Sequence, residues 1–176
     1  MKDLISVVVT CYNHQDYIEQ CLRSIFAQTY RNIELLVLDD GSTDKSAQII
    51  QETLVDSPFP TRFESHENMG VVKTRNKGLS LMHGAFFLFV DSDNFLDIDY
   101  IEKCCHKLQI CQADIAYSDL YDPEHKVTFL KSEPFQLDSF LERSYIDNCS
   151  LVRKSVLQNA VYDINLKHLS SRQLMV

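Results

Sequence analysis

Three polar clusters in this 176-residue chain follow directly on apolar runs. Thr10, Tyr12 and Asn13 close the run ISVVVT, Asp39 and Asp40 close IELLVL, and Asp91-Ser92-Asp93 closes AFFLFV. Carboxylates gathered at one place repel each other and raise each other's pKa unless a cation lies between them. The donor atoms here are all oxygen. That suits a hard divalent ion, Mg²⁺ or Mn²⁺, which also takes oxygens from a substrate diphosphate. Tyr12 adds a ring able to stack on a nucleobase. Arg75, with Lys73 nearby, adds a cation that could neutralise phosphate charge or orient a carboxylate. A single Asp after a strand often only forms a turn or caps a helix, and Asp39, Asp44 and Asp97 each suit that role. Turn formation does not require Asp-x-Asp after the most apolar run, so the set points to a site where no single member does.

The clusters converge only if the runs before them are neighbouring parallel strands. The first half of the chain has that alternation of short apolar runs and helical periodicity. Ile5 to Thr10 and Ile33 to Asp39 are near-continuous β-branched or apolar runs, as expected of strands covered on both faces. Between them Ile18, Cys21, Leu22, Ile25 and Phe26 recur at helical spacing. Gly41-Ser42-Thr43-Asp44 predicts a turn and an N-cap for a helix carrying Ala47, Ile50 and Leu54. Pro58 and Pro60 end that helix, and a short strand is expected near Arg62 to Ser65. Asn68-Met69-Gly70 leads into a helix reaching about His83. Ala85 to Val90 is the most apolar strand and is placed centrally. In open α/β sheets ligands bind outside the carboxyl ends of the strands, where the three clusters fall.

Beyond residue 100 the pattern weakens. Tyr100, Ile101, Cys104, Cys105 and Leu108 predict a helix, Ile115 to Ser118 and Val127 to Leu130 strands, and Pro134 to Arg143 a short helix. Ser150 to Val152 predicts a short strand before a helix near Ser155, and the final LSSRQLMV reads as a chain cut short or a frayed end. With no repeat or linker, residues 1–176 are expected to form one domain with an irregular C-terminal third.

Composition narrows the functional classes. Hydrophobic residues are 45% and charged ones 24% of the chain, ordinary globular values. The net charge of −8 argues against general nucleic-acid binding, which needs a basic footprint. No apolar run approaches the roughly 20 residues of a spanning helix, and the N-terminus lacks a signal-peptide pattern, so a cytoplasmic location is expected. Six cysteines show no CxxC spacing and read as free thiols, with Cys21 and Cys104 on apolar helix faces. The six histidines show no ligand spacing, and no role attaches to them.

Three segments, SVVVTCYNHQDYIEQCLRSIFAQTYRNIELLVLDDGSTD, ENMGVVKTRNKGL and FLFVDSDNFL, resemble family-2 glycosyltransferases of the GT-A fold, in order and approximate spacing, over residues 4–100. The resemblance implies a mostly parallel Rossmann-like α/β sheet with helices on both faces. It makes residues 1–100 the nucleotide-sugar-binding half and 101–176 part of an acceptor-side half. It places Thr10 and Tyr12 at the nucleotide base, with Asp40 reading a ring N–H. Asn68, Gly70 and Arg75 fall beside the diphosphate, and Asp91-Ser92-Asp93 is the DxD motif. Asp91 falls near the ribose, and Asp93 becomes the ligand of Mg²⁺ or Mn²⁺, with Asp91 a second candidate. The implied reaction moves a sugar from a nucleotide diphosphate, UDP foremost, to an acceptor hydroxyl with inversion. Glycan or lipid-linked acceptors are implied, and with them a place at a membrane surface, although no basic amphipathic helix in this sequence adds to that.

One family element has no match. The general base usually sits in an acidic pair after a segment like SLVRKSVLQNAVYDINLKHL, and Asp163 matches only the run-up to it. Among the late carboxylates Asp119, Asp122 and Asp147, no motif singles one out, so the base stays unassigned. Two other readings follow: a nucleotide-sugar-binding module that lacks the base, and a receiver-like signalling domain. The second is disfavoured because its acids would follow the second strand and no strand-end Lys accompanies them.

Overall fold

The computed structural model describes residues 3–143, 145–158 and 160–163. The expected end-of-chain features, the frayed LSSRQLMV and the missing acidic pair after Asp163, lie outside the described residues. Four parallel strands, β1 (Ile5–Cys11), β2 (Ile33–Asp39), β3 (Thr61–Ser65) and β4 (Phe86–Asp91), form the body of one sheet. Two short strands extend it, β5 (Ile115–Ala116) and β8 (Leu151–Arg153), with β8 antiparallel to both β4 and β5. The order is β3-β2-β1-β4-β8-β5, which makes β1 and β4 the central pair as the apolar character of AFFLFV predicts. A separate hairpin joins β6 (Leu120–Asp122) to β7 (Val127–Leu130).

Every residue of β1 is buried, because helices cover both faces. Its odd positions Ile5, Val7, Val9 and Cys11 pack with α1 (Ile18–Phe26), α2 (Ser46–Leu54) and α4 (Tyr100–Cys111) through Ile18, Leu22, Ile50, Ile101 and Leu108. On the other face Val8, Leu36, Leu38 and Phe89 pack with α3 (Val71–Leu81) and with Leu157 and Tyr162 of the C-terminal segment. Gly78 lets α3 sit close to this face, since a Cβ there would fall 2.7 Å from Val8 Cγ1.

Some elements differ from expectation. α3 stops at Leu81, the strand at Ile115 spans two residues, and the helix expected near Ser155 is a 3₁₀ turn, Lys154–Leu157. β6 was unforeseen. The helix α5 (Leu137–Glu142) falls within the expected stretch. At the outer margin β3 is partly exposed, and its Glu64 pairs with Arg62 at 2.5 Å and with Lys77 of α3 at 2.6 Å.

Candidate functional site

The direction of winding reverses between β1 and β4. β2 and β3 lie to one side, and β4 continues on the other. A crevice opens at the carboxyl ends of such a pair, and here it widens into a cleft of about 350 Å³. Thr10, Tyr12, Asp40, Arg75, Asp91, Ser92 and Asp93 all line it, seven of the nine binding and metal candidates named from sequence. Register explains the convergence: Thr10 pairs with Asp91 and Cys11 with Asp39, so the three strand ends lie level.

One side of the cleft is built on the two loops after β1 and β2. Tyr12 leaves 47% of its surface open, so a face of its ring is available for stacking. Asp40 is buried, its N–H donates to Cys11 O at 2.8 Å, and its carboxylate accepts from Met69 N–H at 2.8 Å. Asp39 does the structural work foreseen for it, accepting from Ser42 N–H and Ser65 Oγ. Asn68 and Gly70 do not line the cleft. Asn68 packs against the loop after β2: Gly41 (φ +73°) lies so close to it that a Cβ would come within 2.6 Å of its nitrogen. Gly70 (φ +85°) precedes α3, and its carbonyl accepts from Thr74 N–H.

Arg75 is paired with a carboxylate of the cleft. Its buried guanidinium donates from Nη2 to Asp91 Oδ1 at 2.7 Å and lies 5.8 Å from the centre of the Tyr162 ring. Turned with its oxygen toward the cation, the Asn148 amide accepts from Nη1 at 3.1 Å. Arg75 Nε has no hydrogen-bond partner among the described residues. Lys73 is exposed and stands apart from the cleft lining. Asp147 sits close enough to feel both charges. Burial raises its carboxyl above the usual range, the Asp91 charge adds to this, and Arg75 opposes it. Asn148 and Tyr162 have no motif to mark them in the sequence; only folding brings them to Arg75.

Asp93 is exposed at the cleft, whereas Asp91 is already engaged. Among the described residues no cluster of three His, Cys, Asp or Glu side chains could hold a metal by itself. A Mg²⁺-like ion does not need one, since it binds through one or two carboxylates plus substrate phosphates and water. The donor set therefore fits such an ion with Asp93 as the protein ligand. The nearby thiols do not compete: burial pushes Cys11 and Cys21 up, so both stay protonated. Cys104 rises to about 11 for the same reason.

An open α/β sheet with an acid-lined cleft at its switch point places the chain among doubly wound α/β domains, which take their ligands at that point. Residues 6–161 match the model of glycosyl transferase family 2, and the chain belongs to this family. It is 40% identical over 156 residues to glycosyltransferase GlyA of Streptococcus pneumoniae serotype 4, covering 86% of this chain and 21% of that protein. Glycosyltransferase GlyG of the same organism is 34% identical over 122 residues, 69% of this chain and 40% of that one. The match thus spans well under half the length of these relatives. Among solved structures, S. aureus TarS 1–349 in complex with UDP superposes with a TM-score of 0.77 at 22% identity, covering 97% of this chain and 53% of that one. The mannosyltransferase PcManGT of Pyrobaculum calidifontis, solved with GDP-Man and Mn²⁺, gives 0.70 at 18% identity over 90% of this chain and 47% of that one. These likenesses establish the GT-A-like fold. Among the described residues no helix is long and apolar enough to cross a membrane.

Proposed function

We propose that the cleft holds the nucleoside diphosphate of a sugar donor, UDP-linked in the first instance, and that the protein transfers the sugar to an acceptor hydroxyl with inversion. One observation carries the reading: Tyr12, Asp40, Arg75, Asp91 and Asp93 come from four separate parts of the chain and line one cleft. Tyr12 stacks on the base while Asp40, held by Met69 N–H, accepts a ring N–H. Asn68 and Gly70 fix the rim, Asp91 meets the ribose, and Arg75 holds Asp91 in place. Asp93 is the protein's ligand for Mg²⁺ or Mn²⁺. Such an ion, when bound, stabilises the negative charge of the departing diphosphate as a Lewis acid. In the transfer, the acceptor oxygen bonds to the anomeric carbon as the bond to the diphosphate oxygen breaks, and the acceptor's proton passes to a carboxylate. Residues 1–100 serve as the donor half and 101–176 as part of the acceptor half. The acceptor is a glycan or a lipid-linked glycan, and the setting is the cytoplasm or the cytoplasmic surface of a membrane.

A second reading, donor binding without transfer, draws on the late carboxylates. Asp119 is taken up by Ser132 and Asp122 by Glu124, His125 and its ring, all within the hairpin region. Neither lines the cleft. Calorimetry with UDP, with and without Mn²⁺, tests the donor site. Asp93→Ala is expected to abolish the Mn²⁺-dependent part of binding with an unchanged melting temperature, and unchanged UDP affinity would refute the assignment. Donor hydrolysis and transfer assays then separate the two readings.

A further inference from the structure

The cleft contains a ring that carries no role in the reading above. His14 lines it, and its position is fixed from three elements. Its N–H donates to Ser46 Oγ at the start of α2 at 2.9 Å, and its carbonyl accepts from Tyr17 and Ile18 as α1 begins. The ring stands edge-on to Tyr17, with centroids 6.1 Å apart, and its Nδ1 lies 2.7 Å from Ser92 Oγ after β4. Ser92 is only 1% exposed, so its hydroxyl proton needs a protein acceptor, and Nδ1 is a far better one than the neighbouring Cys11 sulfur. This hydrogen-bond logic assigns the neutral tautomer with its proton on Nε2. That N–H has no partner among the described residues, while Ser92 holds the ring at Nδ1 and Tyr17 packs beside it.

A positioned donor without a partner in a cleft is available to a bound ligand. Building on the donor reading, we propose that His14 Nε2–H donates a hydrogen bond to a phosphate oxygen of the bound nucleoside diphosphate. The position within the cleft favours phosphate over base. Tyr12 and Asp40 occupy the β1–β2 side, whereas His14 is tied to Ser92, between Asp91 and Asp93, on the β4 side. His14 then binds the same end of the ligand as Asp93, from the loop after the neighbouring strand β1.

The test is calorimetry with UDP and with uridine in Mn²⁺ on the full chain, comparing wild type, His14→Asn and His14→Ala. Asn offers Ser92 an acceptor near the place of Nδ1 but cannot reach where Nε2 lies. A bond to a charged oxygen predicts UDP binding weakened about tenfold in both variants. Uridine binding should be unchanged, which also shows that the cleft remains folded. If His14→Asn binds UDP like wild type, the ring only supports Ser92 and the proposal is wrong. Equal weakening for uridine and UDP overturns it as well, because the contact then lies away from the phosphates. Wild type that binds neither probe refutes the donor reading itself, a result distinct from both.

Discussion

The parallel half of the sheet and the later strands are built by different rules. β1, β2 and β4 are six or seven residues long, nearly all buried, and covered by helices on both faces. β5 to β8 are two to four residues long, and in the β6–β7 hairpin Tyr121, Val127 and Phe129 are each at least half exposed. Long parallel strands fix the register at their ends, so side chains delivered there are preorganised for a ligand. A two-stranded hairpin outside the main sheet gains little from its own pairing. The cleft wall nearest the later strands is therefore held by side chains, Asn148 and Tyr162 against Arg75, and not by a ladder.

Substitutions in the two regions should differ accordingly. Leu88→Ala, in the fully buried centre of β4, is expected to cost about 2–5 kcal/mol in a denaturant titration. A cost near zero would mean the sheet centre is not the stabilising region. Glu34→Gln tests how the amino ends of β1, β2 and β4 are tied. Burial alone would raise the Glu34 carboxyl, but hydrogen bonds from Ser6, His83 N–H and the His83 ring outweigh it and leave the pKa lowered. A lowered pKa adds stability above the unfolded value of about 4.3 and loses it as pH falls through the folded value. The variant should thus be about 1–2 kcal/mol less stable at pH 7, with the gap closing in acid. Phe129→Thr, 64% exposed in β7, should shift stability by no more than about 0.5 kcal/mol. A loss like that of Leu88→Ala would erase the contrast.

The same contrast explains what could be read from residues alone. β1, β2 and β4 announce themselves because a strand buried on both faces must be apolar throughout, and α1 because Ile18, Cys21, Leu22 and Ile25 repeat at helical spacing. β6 escapes such reading: Leu120-Tyr121-Asp122 is too short to show alternation, and a register shift separates its first pair from the next. At the site, Asp91-Ser92-Asp93 is visible because its members are adjacent. His14 and Ser92 are 78 positions apart, so their contact depends wholly on the β1–β4 pairing. A histidine without ligand spacing looks idle until its neighbour across the sheet is known. Asn148 is hidden for the same reason, since its meaning lies in an arginine on α3.

The charged margin of β3 bears on how the molecule behaves in company. An outermost strand offers unpaired peptide groups that could recruit the edge of another copy and seed aggregation. Here that border carries Arg62 and Glu64, with Lys77 reaching over from α3, while the opposite border ends in a strand of two residues. Among the described residues neither border presents a long apolar template for edge-to-edge pairing.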